Sequence, residues 1–141
     1  MTFAGVNYVA IIIATLAAFG LGAIWYMVLA KPWLHALGKT EAECREQQEK
    51  QGAAKVLPFI ICIIALFVMA LMLAGLMGHL GDVTVRGGVI SGFLIWLGFV
   101  ITTMGVNHAF SGAKPMLTVI DGLHWLAVLL IQGAVIGAFG P

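Results

Sequence analysis

Four long apolar runs constrain this chain more than any other feature. Crossing the hydrocarbon layer of a bilayer takes roughly 20 apolar residues. Four stretches reach that length: about Val6–Leu29, Val56–Leu80, Gly88–Asn107 and Met116–Phe139. They leave little chain for anything else, because the whole sequence has 141 residues, of which 62% are hydrophobic and 9% charged. Soluble domains are nearer about half apolar and about a quarter charged. The expected fold is therefore all-α: a polytopic membrane protein of one domain, 1–141, with four transmembrane helices in a bundle and a short cytoplasmic helix. Its first partner is the lipid bilayer.

The connections differ in kind. Residues 31–55 form the one long polar segment, whereas GDVTVRG (81–87) and HAFSGAKP (108–115) are short turns with Gly and Pro as breakers. Spans two, three and four thus make two tight hairpins. Within the polar segment, Thr40 and Glu43 have capping-box spacing. Glu41–Arg45 and Glu46–Lys50 are acid-first i,i+4 pairs, so a short helix is expected over about Glu41–Gln51. KPWLHALG before it reads as an interfacial turn. The first span lacks a preceding basic stretch and is long, so it reads as a retained helix rather than a cleaved signal. Cys44 lies in the polar segment and Cys62 in an apolar run, which predicts free thiols at different depths.

The cations set the orientation. Of seven Lys and Arg, Lys31, Lys39, Arg45, Lys50 and Lys55 lie between spans one and two, and Lys114 lies between spans three and four. Arg86 alone is on the opposite side. The positive-inside rule places 31–55 and 108–115 in the cytoplasm and both termini outside. A net charge of +1 gives no reason to expect nucleic acid as a partner.

Lipid tails give helices no hydrophobic reason to associate, so small residues that allow close approach carry the packing. Ala10, Ala14, Ala18 and Gly22 recur every fourth residue on span one, and Ala70, Ala74 and Gly78 do so on span two. Gly88 and Gly92 repeat the spacing on span three, Gly133 and Gly137 on span four. These stripes fit a tight bundle, or a bundle that also forms a homo-oligomer; the small size of the chain favours the oligomer. Trp25, Tyr26 and Trp33 cluster at the cytoplasmic end of span one and read as interfacial anchors.

Several of these residues form a recognisable set. GLGAIWY (20–26) is followed by Trp33. After the polar insert and an apolar span comes FLIWLGFVITTMGVNHAFSGAKPMLTVIDGLHWLAVLLIQGAVIG (93–137). This resembles the uncharacterised bacterial membrane family called domain of unknown function 1761, over nearly the whole chain. Family members often have Gly-Pro after the Trp-Tyr pair, where this chain has Met27-Val28, and many have Pro before the Thr of span three, where it has Thr102. The resemblance implies a four-span, multi-pass protein of a bacterial cytoplasmic (inner) membrane and supplies no activity.

Function must then come from polar residues inside the spans. Asp121 stands six residues past Pro115, about 9 Å into span four, and His124 follows one turn later. Antiparallel pairing sets Thr103, Asn107 and His108 of span three at that level. Trp96 shares the Thr103 face, and Trp125 the Asp121 face. The expectation is a polar seam between spans three and four made of Thr103, Asn107, His108, Asp121 and His124, flanked by Trp96 and Trp125. A charge within lipid costs several kcal/mol, so Asp121 must be paired, wet or protonated, and an Asp–His pair can carry protons near neutral pH. The seam predicts binding or translocation of a small-molecule ligand or a proton. The alternatives are an accessory or structural protein without a site, and a lipid-processing enzyme. No nucleophile elbow, phosphate loop or paired-ligand motif is present, so a cofactor, a metal and catalytic residues are not expected.

Overall fold

The computed structural model describes residues 2–3 and 5–141. Four helical stretches are long and apolar enough to cross a membrane. The first, α1 (Tyr8–Val28), starts where the Asn7 side chain accepts the backbone N–H groups of Val9 and Ala10 at 3.1 and 3.2 Å. This cap, and the pairing of Val6–Asn7 with Thr2–Phe3 as two short strands, move the helix start from the expected Val6 to Tyr8. After Leu29 comes α2 (Ala30–Leu37), where an irregular turn was expected. Residues 30–37 remain helical because the Trp33 N–H still reaches the Leu29 carbonyl at 2.9 Å. Gly38, at φ 73°, then stops the helix, and the Lys39 N–H closes on the Leu34 carbonyl.

The polar helix α3 spans Glu41–Gln51 with both halves of its capping box formed by Thr40 and Glu43. Its i,i+4 pairs are present, Arg45–Glu41 at 3.5 Å and Lys50–Glu46 at 3.0 Å. A tight helical turn over Gly52–Val56 leads into α4 (Leu57–Leu80), which has Pro58 in its first turn, where a missing N–H costs little.

Span three is longer than the expected 88–107 and is not one regular helix. It comprises α5 (Val85–Ile95), a wide π turn at Trp96–Val100, and α6 (Ile101–Ser111). Thr84 starts it by accepting the Gly87 N–H at 2.9 Å. In the wide turn, Thr102 and Thr103 direct their hydroxyls back to the carbonyls of Gly98, Phe99 and Val100. The last helix, α7, runs Pro115–Phe139.

The helix at the centre is α7, which packs against α1, α4 and α5 and carries the largest buried share of the four spans. Its closest neighbour is α5. A side chain on Gly88 would run into the Gly133 carbonyl, and one on Gly92 would come within 2.6 Å of the Leu129 carbonyl. Backbone-to-backbone contact of this kind suits a lipid-bathed bundle, where dispersion and weak Cα–H···O contacts replace the hydrophobic drive. On the other side, Ile11, Ala14, Ala70, Leu73, Met77 and Leu129 fill the core between α1, α4 and α7. Gln132, fully buried, ties α7 to α4 by donating to the Leu66 carbonyl at 2.9 Å. The small-residue stripes are thus largely taken up inside the bundle, although Gly78 faces open space. At the Lys-rich end, Lys114 Nζ donates to the His35 carbonyl at 3.1 Å, joining α2 to the α6–α7 turn.

Candidate functional site

Three consecutive residues of α7 receive hydrogen bonds from other helices. Trp25 Nε1 donates to the Ile120 carbonyl at 3.2 Å, and Trp96 Nε1 donates to the Gly122 carbonyl at 2.7 Å. Between them, Asp121 Oδ1 accepts from Tyr26 Oη at 2.7 Å and from Trp33 Nε1 at 3.2 Å. An indole N–H in apolar surroundings needs an acceptor, and a carboxylate offers the strongest one. The one carboxylate within a span therefore gathers the polar tips of α1 and α2. Tyr26 and Trp33 also meet edge to face at 5.4 Å between ring centres.

One turn further along, His124 is 5% exposed. Its ring lies 4.9 Å from that of Tyr26 and 4.7 Å from that of Trp125. Gly22 makes room for it, because a Cβ there would sit 2.9 Å from His124 Nε2. His124 Nδ1 is buried and has no hydrogen-bond partner.

His124 forms part of the wall of a cavity of about 750 Å³ between α1, α2, α3 and α4. Tyr26 and Trp33 line it beside His124, Cys62 lies on the α4 side, and Lys39 and Lys55 belong to the polar segment. The volume falls within the roughly 300–1,000 Å³ of ligand sites. Cys44 and Cys62 are free and line the same cavity.

The expected seam is thereby divided. Asp121 and His124 face α1 and α2. Thr103, Asn107, His108 and Trp125 border a separate, shallower depression of about 410 Å³. Thr103 spends its hydroxyl on its own helix, Asn107 is exposed, and His108 Nδ1 pairs with Thr118 Oγ1 at 2.8 Å. Trp96 reaches α7 at Gly122 rather than at Asp121. The cause is the rotation of α7. Gly122 and Gly133 stand eleven residues apart and share a face, which α5 and the π turn occupy, while Asp121 is rotated from it by about 100°. The close glycine contact with α5 thus turns the carboxylate away from span three.

Sequence reasoning assigned Trp25, Tyr26 and Trp33 to an anchor belt and overlooked Gly22, Lys39, Lys55 and Cys62 as cavity residues. A tally of hydrogen-bonding partners would have found the first three. Their donors lie at the end of span one and just beyond it, and Asp121, for which sequence reasoning considered only His124 as a partner, is an acceptor in the first half of span four.

The chain belongs to a protein family of unknown function, DUF1761, whose model matches residues 9–137. Comparisons with curated proteins and with solved structures find no match.

Proposed function

We propose that the protein binds a small molecule with an apolar body in the cavity beneath α2 and α3. One observation carries this reading: a chamber of about 750 Å³, the size of a ligand site, is walled within one chain by Tyr26, Trp33, Cys62, Leu66 and His124. Asp121 is a positioning residue. It holds Tyr26 and Trp33, and they form the wall.

The packing favours binding over open conduction. Toward the Lys-poor end, the cavity gives way to Ala18, Leu66 and Val128, then to Gln132 and the Ile11–Met77 core. Passage of a solute or proton along the bundle would require these helices to part. The positive-inside rule supports a cavity mouth on the cytoplasmic side. One chain walls the cavity, so this reading does not depend on the homo-oligomer expected from the chain's size.

The test is substitution of Ala23→Phe, an exposed position on the cavity wall where bulk fills the space without entering the core. Wild type and variant are purified in lipid nanodiscs and their bound small molecules identified by mass spectrometry. A compound retained by wild type and lost from a variant of unchanged thermal stability is the expected result. Identical extracts from two equally stable proteins would overturn the reading.

A further inference from the structure

We infer that the cavity takes an anionic amphiphile, with its phosphate or carboxylate head between Lys39 and Lys55 and its hydrocarbon chain running toward His124. The inference rests on the binding reading above and adds the ligand's class. The mouth carries Lys39, Lys55 and the amide side chains of Gln47, Gln48 and Gln51, while further along α4 the wall is made by Cys62 and the buried Leu66. Among the described residues, no Asp or Glu lines it. Of the four carboxylates of α3, Glu41 pairs with Arg45, Glu46 pairs with Lys50 and Glu43 serves the capping box, while Glu49 lies outside the cavity lining. Among the described residues, Lys39 Nζ hydrogen-bonds only to a neutral group, Gln47 Oε1, at 3.3 Å. The cavity therefore presents two cations and several amide donors above an apolar chamber.

The division of labour follows from the surrounding solvent. A bilayer is as apolar as the chamber, so the hydrocarbon chain gains little by moving from one to the other. The chain brings the ligand to the site, and the head decides which amphiphile stays. Two exposed cations are together worth up to about tenfold in affinity for an anionic head over a neutral one.

Cys62 provides a native reporter, because it lines the chamber and is partly exposed. On a Cys44→Ser background it is the sole thiol, since the chain has 2 cysteines. Its maleimide labelling rate is measured in phosphatidylcholine nanodiscs with added dodecyl phosphate, dodecanol or inorganic phosphate, and in nanodiscs containing phosphatidic acid. Dodecyl phosphate is expected to protect Cys62 at roughly tenfold lower concentration than dodecanol, and the Lys39→Gln/Lys55→Gln double variant to erase that difference. Protection by phosphatidic acid alone would support the inference and identify a bilayer lipid as the source. Equal protection by dodecanol and dodecyl phosphate would overturn the anionic head and leave the cavity as a binding site. Protection by inorganic phosphate to the same degree as dodecyl phosphate would overturn the amphiphile. Labelling that no amphiphile slows would overturn both the inference and the binding reading.

Discussion

Asp121 receives two hydrogen bonds on one oxygen, from donors 95 and 88 residues away in sequence. They attach the end of α1 and the whole of α2 to α7. Measured intramembrane hydrogen bonds contribute about 0.6–2 kcal/mol each. Replacing Asp121 with Ala is therefore expected to lower stability in mild detergent by about 1–3 kcal/mol, because two donors lose their acceptor. Asp121→Asn keeps an acceptor oxygen and is expected to cost less than half as much. Tyr26→Phe removes one donor, at about 1 kcal/mol. A double-mutant cycle of Tyr26→Phe with Asp121→Ala, followed by thermal unfolding, checks this assignment. Strictly additive effects would show that the two groups do not interact. The pairing was partly legible in the sequence. Asp121 and His124 stood out because lipid penalises them. Trp25, Tyr26 and Trp33 did not, because an aromatic residue at a helix end serves a headgroup belt and a buried hydrogen bond equally well. Choosing between these roles requires knowing where the acceptor points.

That direction is set at the level of the elements, by how closely α5 approaches α7. Gly88 and Gly133 let the two backbones touch, and any side chain there meets a carbonyl rather than a flexible group. Gly88→Ala is expected to force the helices apart and to destabilise the bundle by about 1–3 kcal/mol, the usual cost of overpacking. Gly78→Ala is the matched control. It is also helical, it faces open space, and replacing Gly by Ala inside a helix is expected to be neutral or to stabilise by up to about 1 kcal/mol. Heat denaturation of the two variants distinguishes a packing contact from a general intolerance of alanine. Equal stabilities would remove the glycine contact as the cause of the α7 rotation. The sequence showed that these glycines form a stripe but not which neighbour the stripe meets. It showed α3 to the residue, because capping chemistry is local. It gave no sign of the π turn at 96–100, whose spare carbonyls are satisfied by hydroxyls four residues on, an arrangement that a regular helix also accommodates. It read α2 as a turn because eight residues containing Pro and Gly resemble a breaker, whereas the chain simply continues the α1 hydrogen-bond pattern through Leu29.

At the scale of the whole molecule, composition was enough to indicate four spans, because no other solvent accommodates this much apolar surface. Charge was enough to indicate which ends lie together. Lys114, distant in sequence from the polar segment, donates to the His35 carbonyl of α2, so both groups of cations occupy one end of the bundle. That end also holds the cavity mouth, so the orientation expected from the positive-inside rule would open the proposed site to the cytoplasm. The positive-inside rule acts on Lys and Arg in short loops next to the spans, which describes the positions of Lys31, Lys39, Lys55 and Lys114. The thiol of Cys44, on α3, is expected to be cytoplasmic. On a Cys62→Ala background, a membrane-impermeant maleimide should label Cys44 in inverted membrane vesicles and leave it unlabelled in intact cells. Labelling in intact cells would reverse the orientation. It would also move the mouth between Lys39 and Lys55 to the outer face, where an anionic amphiphile would have to come from outside the cell or from the outer leaflet.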